Sequence, residues 1–202
     1  MSYWISKNHV GSMDGSIRGK LVSSWGRNRI VKSIQRGTIS VADGNSSGSA
    51  SITEVVAKNS WVEWGGTTDD NNPTSDYGSV GLGYVSLTGT SVTINYASNK
   101  NARVVAYQVV ELFPFILADT PQTGTISLGN GVSSNTATIT SVDTTKSFVI
   151  FQGETYSSGV STDQNGPHLA KLVLTDSTTV TANRATSNTF TVTVAFAVIT
   201  FS

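Results

Sequence analysis

The chain contains no cysteine, which excludes disulfides and thiolate metal sites. Histidine is scarce, with only His9 and His168 to supply imidazole chemistry. Charged residues make up 13% of the sequence, against about a quarter in typical soluble domains, so a densely charged surface is excluded. No apolar run approaches the roughly 20 residues that cross a bilayer as a helix. The opening "MSYWISKNHVGSMDGSIRGK" has no uninterrupted apolar core of a secretion signal. These absences predict a chain made as a soluble protein, with no membrane partner and no cofactor.

Among the 202 residues, a hydrophobic fraction of 38% is enough for a packed core. Ser, Thr, Asn and Gly fill the polar positions. Thr and Val favour strands, and Ser, Asn and Gly favour turns, so the composition predicts a β-rich fold. The zero net charge is unevenly spread. Up to Arg36 there are seven basic residues against Asp14 alone, a balance of +6, leaving −6 for the remainder. That split suggests a basic arm on an acidic body.

The sequence also repeats itself. "VVAKNSWVEWGG" at Val55–Gly66 returns as "VDTTKSFVIFQG" at Val142–Gly153, with each match 87 positions apart. "RGTIS" at Arg36–Ser40 answers "TGTIS" at Thr123–Ser127, and "SSGSASITEV" answers "SSNTATITSV", at the same offset. Two single-residue insertions raise the offset to 88 and then 89, where "YQVVEL" at Tyr107–Leu112 matches "FAVITF" at Phe196–Phe201. A repeat of this length is too long for a solenoid or a propeller blade and suits a small sandwich. Each copy carries short strand-like runs ("GTISVA", "SASITEV", "SWVEW", "GYVSL", "TSVTINY" and "ARVVAYQVVEL" in the first) separated by Gly, Asn, Asp and Ser clusters.

The expected fold is all-β, with two tandem, homologous antiparallel β-sandwich domains and an extended N-terminal arm. Its parts are an arm over 1–32, a first repeat over 33–113, a Pro-flanked linker over 114–120 and a second repeat over 121–202. Alternation along "SWVEW" and "SFVIF" turns Val62, Trp64, Val149 and Phe151 inward as core. It turns Trp61 and Phe148 outward, toward the sister domain, a neighbouring subunit or solvent. The strands closing both copies are apolar on both faces, so each is expected to be paired inside its sheet or across a subunit interface. In the linker "FPFILADTPQ", Phe115 and Leu117 are the expected contacts at the junction.

The arm mixes basic residues with isolated large apolar ones. Trp4, Arg18, Lys20, Trp25, Arg27 and Arg29 are its candidate partner-binding residues, through aromatic anchoring and attraction to an acidic surface. The plainer alternative is a first strand and a loop packed on the protein's own body. Nucleic acid is a third and weaker option, with Trp25 beside Arg27 and Arg29. Catalytic motifs are missing: there is no G-x-S-x-G, P-loop or H-E-x-x-H. His168 with Asp163 or Glu154 could form an acid–base pair, and Glu54, Glu63, Glu111 and Glu154 could in principle pair as in glycoside hydrolysis. No enzyme activity is expected. Asp69, Asp70 and Asp76 in "TTDDNNPTSDYG" offer oxygen ligands suited to Ca²⁺, but their order does not match an EF-hand, and a solvated turn is the simpler reading.

The repeat unit, through "RGTIS", "SSNTATITSVDTTKSFVIFQG", "LVLTDSTTVTANR" and "TVTVAFAVITF", resembles one found in virion proteins of tailed bacteriophages and prophage regions. The second copy fits best; the first departs at "VVAKNSWVEWGG" and lacks the "TDSTTV" text. The resemblance implies a structural role in the virion, with the protein made in the host cytoplasm, and offers no catalytic residue to transfer. The function expected from it is capsid decoration: a cement protein bound to the major capsid protein or another virion protein, as a homo-oligomer (dimer or trimer). The alternative is a tail- or fibre-associated structural or carbohydrate-binding protein, with Trp61, Trp64 and Tyr77 stacking on sugars.

Overall fold

The structure, a computed structural model, describes residues 30–69, 82–97, 102–156, 170–185 and 191–202. Val31–Ser202 form one compact unit. The described residues form twelve strands, a single 3-10 turn at Ala57–Asn59 and no α-helix. The first half contributes β1 (Val31–Val41), β2 (Ser47–Ser51), β3 (Ser60–Asp69), β4 (Gly83–Leu87), β5 (Ser91–Tyr96) and β6 (Arg103–Leu112). The second contributes β7 (Gln122–Leu128), β8 (Ser134–Thr138), β9 (Ser147–Tyr156), β10 (Ala170–Asp176), β11 (Thr179–Arg184) and β12 (Val192–Thr200). The strand-like runs of the first repeat each fall on one of β1 to β6.

All strand pairings are antiparallel. The first half forms β1-β6-β3 and β2-β5-β4; the second repeats the order as β7-β12-β9 and β8-β11-β10. In each half the two sheets face one another in a sandwich-like arrangement. Ile39, Val62, Val105 and Tyr107 from one sheet meet Val85, Val92 and Ile94 from the other in one core. Ile126, Val194, Phe196 and Val198 meet Val180 and Ala182 in a second core. The doubly apolar strands β6 and β12 are central in their sheets and bury both faces, one in the core of their own half and the other in a third apolar cluster.

The halves also share details of side-chain bonding. Gln35 donates to the Thr53 carbonyl and accepts from its N–H, both at 2.8 Å. Gln122 does the same with Thr140, at 3.0 and 2.6 Å. Gly37 lies beneath the Tyr107 ring and Gly124 beneath Phe196, each so close that a Cβ would fall within 3.0 Å of the ring. A β-bulge recurs too, Gly65–Gly66 opposite Ala106 in the first half and Gln152–Gly153 opposite Ala195 in the second. Gly66 and Gly153 have φ of +102° and +106°, which only glycine adopts at little cost.

One arrangement is not visible from the repeat. β4 of the first half pairs with β9 of the second at Tyr84 and Gly153, so β2-β5-β4-β9-β12-β7 is a continuous six-stranded sheet across both halves. At the N-terminal boundary, Val31 and Lys32, which the repeat assigns to the arm, belong to β1.

Candidate functional site

Several specific contacts join the two halves along a seam. Gly153 is indispensable there, because a Cβ would lie 2.1 Å from the Gly83 carbonyl oxygen. Next to it, the buried Gln152 reaches back to β3 and donates to the Val62 carbonyl at 3.0 Å, satisfying an acceptor on an edge strand. The Trp64 and Phe151 rings meet edge to face, with centroids 6.0 Å apart. A third apolar cluster spans the seam, joining Trp61, Val110 and Leu112 to Leu117 and to Ala197 and Ile199 of β12. A cavity of about 240 Å³ lies between, lined by Trp61, Val62, Leu87, Pro121, Thr123 and Gln152 among others.

Two buried carboxylates flank this region. Glu111 is 2% exposed and receives Lys32 Nζ at 2.8 Å, the Val56 N–H at 3.0 Å and the Ser33 hydroxyl at 3.1 Å. Burial pushes its pKa up, but the Lys32, Val56 and Ser33 hydrogen bonds and the Lys32 charge together bring it below the ordinary value. Glu154, the residue immediately after the bulge, is 1% exposed. Burial raises its pKa to about 7, opposed only by the Ala170 N–H at 3.1 Å. Buried cations hold other parts of the frame. Arg103 lies over the Tyr96 ring at 4.3 Å, and Arg184 donates to the carbonyls of Val132 and Gly129 at 2.8 and 2.6 Å, bracing a turn.

The carboxylates weighed for hydrolysis are engaged separately. Glu63 accepts from Trp61 Nε1 at 2.9 Å and Gln108 Nε2 at 3.0 Å. Glu63, Glu111 and Glu154 share no hydrogen-bond partner among the described residues, and Glu54 is exposed. No three acidic or histidine residues cluster as metal ligands among the described residues.

The residues expected at the interface and the junction divide. Trp61 lies on the face opposite Val62 and turns toward the other half, where Ala197 and Ile199 of β12 cover it to 7% exposure. Trp64 is half-buried against the first core, so neither tryptophan offers an open stacking platform. Phe148 is 40% exposed and stacks on Phe201 at 5.8 Å. Leu117 is buried in the seam cluster and bridges to Phe201. Phe115 is the correction: it is 90% exposed and forms only the rim of a surface depression beside Pro114 and Leu117, not a buried contact at the junction. Its carbonyl accepts from the Ser202 hydroxyl at 3.0 Å.

Trp4, Arg18, Lys20, Trp25, Arg27 and Arg29 lie outside the described residues, as do Asp70, Asp76, Tyr77, Asp163, His9 and His168. Of Asp69, only the backbone at the end of β3 is described. Sequence reasoning gave Gln152 and Gly153 no role at the seam and weighed Glu154 only as an acid–base candidate. The recurrence of Gly66 as Gly153 was a usable signal for a bulge, whereas nothing in the pattern marks Glu154 as buried. Comparison with protein-family models, with curated proteins and with solved structures finds no match.

Proposed function

We propose that the protein is a structural component of a bacteriophage virion, a capsid decoration (cement) protein that binds the head lattice through the major capsid protein or a neighbouring virion protein. In this reading the chain is two tandem, homologous β-sandwich domains with a basic N-terminal arm. The observation that carries it is the way the halves are locked. One six-stranded sheet and one apolar cluster run across both, making a single unit suited to bridging two positions of a repetitive surface. The resemblance of the repeat to phage virion proteins and the split of charge between arm and body support the same reading.

The test is a binding assay on undecorated heads, comparing the full chain with a variant lacking residues 1–30, which spares β1 and the Lys32–Glu111 ion pair. The full chain is expected to bind and the truncated chain to lose occupancy. Equal occupancy would refute the arm's role. Failure of the full chain to bind would refute decoration. The carbohydrate-binding alternative loses two of its three stacking residues, since Trp61 and Trp64 are committed to packing.

A further inference from the structure

The linker holds a side chain that nothing within the fold explains. Phe113, Pro114, Phe115 and Ile116 form a tight turn closed by the Ile116 N–H on the Phe113 carbonyl, at 3.4 Å. Phe115 takes its third position with φ of +73°, the left-handed value that a type II turn requires and that glycine or asparagine normally fills. It is the only non-glycine residue with positive φ among the described residues. The ring gains no packing in return, being 90% exposed. Strain together with an exposed aromatic ring is a combination that a purely structural turn would not need.

The turn is also rigidly held. The Ser202 N–H donates to the Ile116 carbonyl at 3.0 Å and the Ala118 N–H to the Thr200 carbonyl at 2.9 Å, while Leu117 is fixed in the seam cluster. The ring forms part of the rim of a depression of about 310 Å³, which Lys58, Asn59, Pro114, Leu117 and Asp119 also line. A dry cavity of about 150 Å³ is already large enough for benzene, so this one can take a phenyl ring. Its wall carries a cation, Lys58, and an anion, Asp119.

We infer that this patch is a two-fold interface between two copies of the chain, in which the Phe115 ring of each copy enters the depression of the other and Lys58 of each meets Asp119 of the other. A two-fold contact needs the projection and its receptor on the same surface, and opposite charges on that surface, and this patch has both. Phe113, at the first position of the turn and 38% exposed, widens the apolar contact. A ring presented on a pinned backbone loses little freedom on docking, which is how an anchor residue contributes most. The inference stands independently of the virion reading.

Sedimentation velocity on the full chain from about 1 to 100 µM tests it. The parent is expected to dimerise as concentration rises. Phe115→Gly removes the ring at a position whose backbone glycine tolerates, so it should keep the parent's circular dichroism and melting temperature at low concentration while dimerising roughly 30-fold more weakly. Lys58→Asp and Asp119→Lys should each weaken the dimer, and the two together should restore it. A parent that stays monomeric throughout, or a Phe115→Gly variant that dimerises like the parent, overturns the proposal. A double charge reversal that fails to restore association overturns the proposed pairing of Lys58 with Asp119.

Discussion

Trp64 and Phe151 stand 87 positions apart, occupy the same place in the two halves, and touch one another at 75° between ring planes. Equivalent residues meet in this way only where two like surfaces face each other. The symmetry is local. β4 pairs with β9 at Gly153, whereas no pairing joins their counterparts β10 and β3 at Gly66 among the described residues. The two glycines share a backbone conformation but not an environment.

That difference predicts unequal responses to the same substitution. Gly66→Ala meets nothing described within 4 Å and pays only for its positive φ, about 1–2 kcal/mol. Gly153→Ala pays the same and also collides with the Gly83 carbonyl, forcing β4 from β9. We expect it to cost at least about 3 kcal/mol in urea unfolding, a range typical of overpacking added to backbone strain. Equal losses at both positions would show that β4 does not press on the bulge.

Glu154 predicts a pH dependence of definite sign. Its folded pKa of about 7 lies above the ordinary value of 4.5, so between those two the folded chain holds a proton that the unfolded chain has released. Stability therefore falls as pH rises from about 4.5 to about 7 and levels off above, a loss of about 3 kcal/mol from this group. Glu154→Gln, neutral throughout, should flatten that slope and exceed the parent in stability at pH 8. Unfolding curves at pH 5 and pH 8 for both proteins check this; parallel pH profiles would rule it out.

Glu111 behaves oppositely. Because its folded pKa is lowered, its contribution is fully present above 4.5 and is lost as pH falls through the folded value. Lys32→Met leaves the carboxylate buried with only Ser33 and Val56 as partners. At pH 7 the expected cost is about 2 kcal/mol, moderated because Lys32 is itself 43% exposed. The gap between parent and variant should close as pH falls through the lowered folded value, and a gap that persists in acid would assign the loss to packing of the lysine stem.

The strands themselves were legible, since period-2 alternation in "SVTINY" and in "GTISV" maps directly onto sheets with one buried face. Alternation also placed Trp61 correctly relative to Val62. It could not say what covers the second face, because Ala197 and Ile199 approach from another sheet more than 130 residues away. The β4–β9 pairing was illegible for a different reason: it is made by main-chain groups, which every residue carries alike, and its one side-chain requirement is the absence of a Cβ at Gly153. Phe115 was misread because an apolar residue between prolines looks like packing, while its fate is decided by a single backbone angle. Glu154 follows the bulge, where the alternation that would have exposed or buried it is interrupted.

The strand β12 has one further property. Val194, Phe196 and Val198 fill the second core, while Ala197 and Ile199 fill the seam. A slip by one residue would send Phe196 toward the space shaped for alanine and leave Ala197 beneath Gly124, spoiling two interiors in a single step. Mispaired forms of this strand are thus penalised twice, which gives an unusually apolar segment its protection against sliding into the wrong partnership.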